Sequence, residues 1–346
     1  GSVVPLSVAG GQAVVHEGYT SVFTVNAADG HVQETYLARL GGAWVTQDLS
    51  VTAGTPSVVG QPVAVVHDGY TSVFTVNASN GHVQETYLAH VGGAWVTQDL
   101  GAVAVGQTPS VSVHDGYVSV FTVTSGGQIQ ETYLSRLGAA WVTQQLPGAV
   151  VAPYTSVVTH DGYVSVFAVS TGGRVQETYL ARVGGAWVAQ DLGVSAAAQV
   201  PSVVVHDGYV SVFTVTTAGQ LQETFLARMG AAWVTQALPG GAVKPATSAV
   251  AHDGYVSVYA VTTGGRLQET YLARLGVAWV SQDLTTNPGT PLAAGRPVTV
   301  VHDGYTSVFT INATGGHVQE TYLPRIGAAW STHDLSTTAG TPAARP

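Results

Sequence analysis

The sequence predicts an all-β protein in which seven four-stranded antiparallel sheets close into a ring, a seven-bladed β-propeller. Three observations lead to this prediction. The word His-(Asp/Glu)-Gly-Tyr occurs seven times, and each copy is followed by Gln-Glu-Thr-(Tyr/Phe)-Leu and then by a single Trp. The tryptophans are separated by 51, 46, 46, 46, 46 and 51 residues, a period typical of radial or stacked repeats. Only 9% of the residues are charged and 42 are Gly, a turn-rich composition typical of β proteins.

The fifth repeat shows the four predicted strands of one unit in order. Residues 203–206 are a short apolar run closed by Asp-Gly, a strong hairpin signal. Residues 209–215 are β-branched and aromatic, and they end at an Ala-Gly turn. Residues 221–228 form the third strand up to a Gly turn, and residues 233–238 form the fourth up to Pro-Gly. Three tight turns between four strands predict a meander, which fits neither a β-solenoid nor a leucine-rich array.

A unit of about 46 residues is too small to bury a core alone, so we predict a single domain over residues 1–346. The blades are expected at approximately 11–49, 62–100, 109–146, 155–192, 201–238, 247–284 and 297–335. Residues 338–342 repeat the linker at 52–56, so the tail and the head of the chain complete one more linker. We expect the ring to close by packing of blade seven on blade one. No strand swap across the seam is required for this, although residues 3–6 can add a small one.

Two types of blade are present. Repeats one, two and seven carry an Asn-Ala-x-x-Gly-His turn, at 26–31, 77–82 and 312–317, and repeats three to six carry a shorter Gly turn. On a closed ring this gives a three-blade arc and a four-blade arc, so the binding surface need not be sevenfold equivalent.

Composition excludes several classes of function. A net charge of −9 with a single Lys argues against nucleic-acid binding, and no apolar run approaches the ~18 residues of a membrane span. Without Cys the chain has no disulfides. We expect a secreted protein without cofactors. A metal-binding ring of the seven repeated histidines is disfavoured, because no carboxylate or second His sits at ligand spacing within a repeat.

Chemically distinctive residues gather at one rim. In a meander the turns after strands one and three lie on the same side, which brings the His, Tyr, Arg and Trp positions together. Side chains alternate between faces along a strand, so Glu34 and Arg39 are expected to face different neighbours. A Glu from one blade and an Arg from the next then converge in an inter-blade cleft with a Trp near its mouth.

Such a cleft suits a sugar, whose apolar face stacks on an aromatic ring while its hydroxyls pair with Glu and Arg. The predicted sugar contacts are Glu34, Arg39, Trp44, Glu85, Trp95, Glu131, Arg136, Trp141, Glu177, Arg182, Trp187, Glu223, Arg228, Trp233, Glu269, Arg274, Trp279, Glu320, Arg325 and Trp330. In blade two, His90 replaces the Arg. The repeated histidines His16, His67, His114, His160, His206, His252 and His302 complete the set.

Each of these residue types also has a structural interpretation. The Trp is a candidate blade-packing anchor. The Glu and Arg are candidates for a buried ion pair, and the His for a cap within its turn.

The repeat resembles that of the seven-bladed bacterial fucose-binding lectins of the Photorhabdus type. The likeness lies in the Val-x-Val-Phe of strand two, the Gly turn, the Gly-x-x-Trp word and the closing Leu, and it extends from Val14 to Leu335. It implies that Trp44 and its equivalents are the strand-four Trp of that family, and that the ligand is fucose-like. The third strand, Gln-Glu-Thr-Tyr-Leu, departs from the Trp-rich strand of the family. The site chemistry is also similar to that of six-bladed fungal-type fucose lectins, which combine Arg and Glu with a stacking Trp.

The predicted function is therefore multivalent binding of mono- or oligosaccharides on glycoconjugates, without catalysis. Glycosidases need an asymmetric pair of carboxylates, whereas 19 of the 20 acidic residues fall at repeated positions. An alternative is a protein-interaction module of a larger secreted protein, with a partner peptide in the central channel. A third is a glycoside-acting enzyme whose site lies near His31, His82 and His317.

Overall fold

The computed structural model describes residues 7–105 and 107–346, and these residues confirm the seven-bladed β-propeller. Each blade is an antiparallel meander whose strands are hydrogen-bonded in sequence order. The first strands of consecutive blades contact one another around the whole circle, including those of blades seven and one. The ring is therefore closed around a channel lined by the seven first strands. No helix in the described part of the chain is both long and apolar enough to cross a membrane.

The strands of the first three blades have the following bounds. Blade one consists of β2 (Ala13–His16), β3 (Tyr19–Val25), β4 (Val32–Leu37) and β5 (Trp44–Asp48), after a short β1 (Ser7–Ala9). A one-turn helix, α1 (Leu49–Thr52), follows. Blade two consists of β6 (Val58–His67), β7 (Tyr70–Asn77), β8 (His82–Leu88) and β9 (Trp95–Val103). Blade three consists of β10 (Ser110–His114), β11 (Tyr117–Val123), β12 (Ile129–Leu134) and β13 (Val142–Gln145).

The remaining blades repeat the pattern. Blade four consists of β14 (Val151–His160), β15 (Tyr163–Ser170), β16 (Arg174–Leu180) and β17 (Trp187–Ser195). Blade five consists of β18 (Ser202–His206), β19 (Tyr209–Val215), β20 (Leu221–Leu226) and β21 (Val234–Ala237). Blade six consists of β22 (Val243–His252), β23 (Tyr255–Thr262), β24 (Leu267–Leu272) and β25 (Val280–Asp283). Blade seven consists of β26 (Ala293–His302), β27 (Tyr305–Asn312), β28 (Val318–Leu323) and β29 (Ser331–Asp334), followed by α2 (Leu335–Thr338).

The turn after each first strand takes a left-handed conformation at two successive residues. In blade five, Asp207 has φ 49° and Gly208 has φ 78°. Two positive φ angles define the type I′ turn, whose twist matches that of a β-hairpin. Asp is among the non-glycine residues that best tolerate this region, which explains why Asp-Gly recurs at this turn.

The hydrophobic core lies between blades. Phe121 and Val123 of blade three form one buried cluster with Val157, Val164 and Val166 of blade four. Phe121, on a second strand, is fully buried. Because each blade buries its apolar side chains against the next one, no blade is a stable unit alone, and the repeat must close on itself.

The first described residues run along the central channel. β1 pairs antiparallel with β10, the innermost strand of blade three, so that this sheet has five strands. The N–H of Gly10 donates to Val111 O, and Gly11 exchanges backbone hydrogen bonds with Ala64 of blade two. The predicted contribution of residues 3–6 to ring closure lies outside the described residues.

The seam between blades seven and one is completed by residues 341–346. The Oγ1 of Thr341 lies 2.9 Å from those of Thr35 and Thr46, just as Thr55 in the linker before blade two contacts Thr86 and Thr97. The prediction that this tail repeats the linker is thus confirmed. The prediction that packing alone closes the ring was wrong in one respect, because Ala344 forms a β-bridge with Asn26 of blade one. The tail therefore also closes the ring through backbone pairing.

Candidate functional site

One face of every blade carries the same set of aromatic and polar side chains. In blade four, Tyr163 and Ser165 alternate along β15, and Glu177 and Tyr179 alternate along β16. The rings form a ladder across the sheet: His160 stacks on Tyr163 with centroids 5.9 Å apart, and Tyr163 contacts Tyr179 at 5.9 Å. This face looks toward the following blade.

A buried hydrogen-bond chain connects the His and Glu positions within each blade. In blade four, Nε2 of His160 lies 2.8 Å from Oγ of Ser165, and that hydroxyl donates to Oε2 of Glu177 at 2.7 Å. Gln190 donates from Nε2 to Oε1 of the same carboxylate at 2.6 Å. The His–Ser–Glu chain is present in all seven blades. In blade seven, His333 takes the place of the Gln.

Burial shifts the protonation of this chain. It raises the pKa of the Glu34 and Glu131 carboxyls and lowers the pKa of the His16 and His114 imidazoles. Burial raises the pKa of Tyr36 most, and the nearby Glu34 carboxylate raises it further. The Tyr36 phenol therefore keeps its proton and can donate a hydrogen bond to a ligand.

The His–Ser–Glu chain is not a catalytic triad. The serine is the middle member, and Ser165 is fully buried, with its hydrogen directed to Glu177. A nucleophilic serine instead needs an exposed hydroxyl that gives its proton to the His. The arrangement orders the cleft wall and does not activate a nucleophile.

Each Trp packs across the junction onto the preceding blade. Trp187 meets Phe121 of blade three edge-on, with ring centroids 5.8 Å apart and planes at 74°. Edge-to-face contacts of this kind occur at all seven junctions, with Tyr259 in place of Phe in blade six. The interpretation of the Trp as a packing anchor is therefore confirmed. Six of the seven tryptophans nevertheless stay half-buried.

Three of these tryptophans, Trp141, Trp187 and Trp279, line clefts between blades. Cavities of about 680, 490 and 290 Å³ lie between blades five and six, three and four, and two and three. In the second of these, blade three contributes His114, Tyr117, Glu131, Tyr133 and Gln144, and blade four contributes Val183 and Trp187. The other two have the equivalent residues, with Phe225 replacing one Tyr in the cleft between blades five and six. The structure thus brings the predicted His, Glu and Trp together.

The structure does not bring the arginines to these clefts. Glu177 is 4% exposed and bonded within its own blade, whereas Arg182 is exposed on the rim. Within the described residues, no Arg lines the three cavities and no ion pair joins Arg39, Arg136, Arg182, Arg228, Arg274 or Arg325 to an acidic group. Both the expected convergence and the alternative of a buried Glu–Arg ion pair were therefore wrong.

The reason lies in the length of the third strand. β4 ends at Leu37, and Arg39 lies in the following turn, where its carbonyl accepts the N–H of Gly42. Strand alternation no longer determines the direction of a side chain in such a turn. The predicted third strand of blade five likewise ran to residue 228, whereas β20 ends at Leu226.

Two partners in the cleft wall were missed by the sequence analysis. The Ser that links His to Glu lies five residues after the His in every repeat, and the Gln lies three residues after the Trp in six of them. This constant spacing was a usable signal. Ser and Gln are nevertheless common in strands and carry no motif of their own, so the sequence alone does not single them out.

The opposite rim holds a different polar group. His31 Nδ1 lies 2.8 Å from Oδ2 of Asp48, and this hydrogen bond raises the pKa of His31. Among the described residues, His31, Asp48 and Asp29 are the one group with three potential metal ligands within 4.8 Å of each other. Equivalent pairs, His82 with Asp99 and His317 with Asp334, recur without the second Asp.

Comparison with known proteins identifies similar folds only among solved structures. No protein-family profile matches the sequence, and no curated protein matches it significantly. The BP39L lectin from Burkholderia pseudomallei superimposes with a TM-score of 0.79 at 16% identity, over 94% of this chain and 97% of that one. The SapL1 lectin, solved with alpha methyl fucoside, gives 0.53 at 17% identity, over 82% and 97% of the two chains. A mutant of the Aleuria aurantia lectin with α-methyl-L-fucoside gives 0.53 at 14% identity, over 99% and 97%. At these identities the likeness establishes the propeller fold.

Proposed function

We propose that this protein is a non-catalytic, multivalent lectin that binds sugars in the clefts between its blades. The observation that carries the proposal is the repeated cleft itself, in which a half-buried Trp of one blade faces a ladder of His and Tyr rings on the preceding blade. Apolar ring faces next to polar groups are what a pyranose needs, because it has both a C–H face and hydroxyls. The similar solved structures are lectins, which supports the same proposal.

Within a cleft the candidate residues have distinct proposed roles. In the cleft between blades three and four, Trp187 and Tyr117 stack on the sugar, and the Tyr133 hydroxyl and the Gln144 amide bind its hydroxyls. Glu131 holds the Gln amide in place through a hydrogen bond of 2.8 Å. His114 supports the wall from behind, and the rim arginines contact only the larger parts of a glycan that extend out of the cleft. We propose a fucose-like monosaccharide as the minimal ligand and an extracellular location.

Repetition compensates for weak single sites. We expect the affinity of a single cleft for one sugar to be low. Linked sites on one rigid ring raise the avidity for a surface that carries many glycans by about 10²–10⁴ where the geometry permits several contacts. A rigid ring thus suits glycoconjugates better than free sugars.

The lectin function can be tested by counting the clefts that contain sugar in a crystal structure. We expect α-methyl-L-fucoside, soaked into crystals of the full chain, to occupy several inter-blade clefts and the protein to bind fucosylated glycans on an array. The variant Trp187→Leu removes the stacking surface of one cleft while it keeps an apolar side chain. We expect it to lose sugar between blades three and four only, and to keep the other sites.

The matched control is Arg182→Gln, which changes an exposed rim residue of the same blade. It should leave the number of occupied clefts unchanged. No binding across a broad glycan array, together with empty clefts in the soaked crystals, would falsify the lectin function.

A further inference from the structure

We propose that Glu17 holds the cleft between blades one and two closed, so that this junction, unlike its equivalents, takes no sugar. The inference deepens the lectin function proposed above and rests on it. It concerns the number of working sites on the ring, which the sequence repeat alone would put at seven.

Glu17 is exceptional at its position. The other six His-x-Gly-Tyr turns have Asp there, whereas blade one has Glu. Its backbone takes φ 45°, a left-handed conformation that Asp and Asn adopt more readily than Glu. The longer side chain reaches out of its own blade. Its carboxylate accepts a hydrogen bond of 2.5 Å from the N–H of Val91 in blade two.

This hydrogen bond spans the cleft. The residues equivalent to Val91 are Leu137, Val183 and Leu275, and each lines the far wall of an open cleft. The turn that contains Glu17 follows His16, whose equivalents line the near wall. Glu17 therefore links the two walls of a site that is open between blades two and three, three and four, and five and six.

The lining of this cleft is also more covered than its equivalents. The six residues that correspond to Val91 are 37–46% exposed, while Val91 is half-buried; they are Leu40, Leu137, Val183, Met229, Leu275 and Ile326. Trp95 is buried at 9% exposure, whereas the other six tryptophans are half-buried. Both the rim of the cleft and its aromatic wall are therefore less accessible at this one junction.

The linker between the blades does not account for the difference. α1 follows blade one and leads to blade two, and the equivalent α2 follows blade seven at the seam with blade one. At the junction of blades seven and one, the turn residue is Asp303, Leu40 is 39% exposed and Trp44 is half-buried. Glu17 and, on the far wall, His90 are the residues that distinguish the junction with the covered lining.

The decisive variant is Glu17→Asp, which keeps the charge and installs the residue of the other six turns. Crystals of the parent and the variant are soaked with α-methyl-L-fucoside at one concentration. We expect the cleft between blades one and two to be empty in the parent and filled in the variant. By NMR, the Val91 amide should exchange with solvent about tenfold faster or more in the variant, because a charge-assisted hydrogen bond is lost.

Two further variants distinguish the effect of the Glu side chain from the effect of His90 on the closure of the cleft. Asp68→Glu installs the longer side chain in blade two, and it should empty the cleft between blades two and three. His90→Arg restores the rim residue of the other blades with Glu17 in place, and the first cleft should stay empty. Sugar in that cleft of the parent, or a Glu17→Asp variant that fills every cleft except this one, overturns the proposal. So does opening by His90→Arg alone. If all clefts are empty in both proteins, the lectin function fails and this inference with it.

Discussion

The serine in the middle of each buried chain fixes the direction of its hydrogen bonds. A hydroxyl has one hydrogen, and in blade three Ser119 gives it to Glu131. Nε2 of His114, 2.9 Å from the same oxygen, must therefore be the donor of its bond. A neutral imidazole with its proton on Nε2 satisfies the chain. Protonation would add a buried charge at Nδ1, which has no hydrogen-bond partner among the described residues in His16 or His114, although Oδ2 of Asp115 lies 3.8 Å from Nδ1 of His114.

We predict that His16 and His114 titrate below pH 6.5. Burial lowers their pKa in the folded state, so below pH 6.5 the folded protein binds fewer protons at these groups than the unfolded chain does. Their contribution to stability is complete above pH 6.5 and is lost as the pH falls toward their folded pKa. Glu34 and Glu131 act in the opposite direction, because acidification relieves the cost of burying their charge.

The measurement is a pH titration of the imidazole nitrogens by ¹⁵N NMR. The variants His16→Gln and His114→Gln assign the two signals by their disappearance. Midpoints above 6.5, or a majority Nδ1–H tautomer at neutral pH, would contradict the proposed direction of the chain.

Residue chemistry was predictable only in part. The repeat identified His, Glu and Trp as lining one cleft, because their spacing puts them on one rim of a meander. The expected cap on a backbone group is not what His206 forms: its Nε2 lies 2.8 Å from Oγ of Ser211, and its Nδ1 lies 3.4 Å from Oδ2 of Asp207 in the turn. The pattern could not show this, since a hydrogen-bond partner depends on which face of the strand each side chain takes.

At the scale of strands, the start of strand four and the middle of strand two form the contact between blades. Phe121 is fully buried in β11, and Trp187 at the start of β17 lies against it. Phe121 does not line the cleft, whereas Trp187 does. Phe121 therefore serves the packing between blades, whereas Trp187 both packs on Phe121 and faces the cleft.

We predict that Phe121→Leu destabilises the protein without removing the sugar site. Loss of the edge-to-face contact and the imperfect refilling of the space should cost about 1–2 kcal/mol of unfolding free energy. The number of sugars bound should be unchanged, because the cleft surface is kept. Urea unfolding and crystal soaking measure the two effects, with Trp187→Leu as the variant that loses both. Loss of the cleft occupancy in Phe121→Leu would mean that the Phe positions the Trp for binding.

Strand order and turns were predictable because Asp-Gly and Gly words determine them locally. The ends of the third strands were not, since the sequence Leu-Ala-Arg continues a strand pattern while the chain already turns. The short helices α1 and α2 were also missed. Asp48 and Asp334 cap them through the N–H groups of Val51 and Thr337, but four residues are too few to show a helical period.

At the scale of the whole molecule, the seam is an ordinary blade junction completed by residues distant in sequence. Ala344 is buried at 2% exposure in the cluster that joins blades seven and one. Its N–H donates to Gly316 O of blade seven, and the N–H of Arg345 donates to Val25 O of blade one. The tail thus binds both blades at once. A ring held by seven junctions of the same kind is expected to unfold as a unit, because the loss of one junction exposes the faces of two blades.

We predict that Thr341→Val and Thr55→Val have the same effect, about 1 kcal/mol of unfolding free energy each, because both hydroxyls bridge strands three and four of a blade. Removal of residues 341–346 should cost more, about 3–5 kcal/mol, since several backbone hydrogen bonds and the buried Ala344 are lost together. Urea unfolding followed by Trp fluorescence gives all three values. A truncated protein as stable as Thr341→Val would show that the backbone pairing of the tail adds nothing to closure, and that the packing of blade seven on blade one is sufficient.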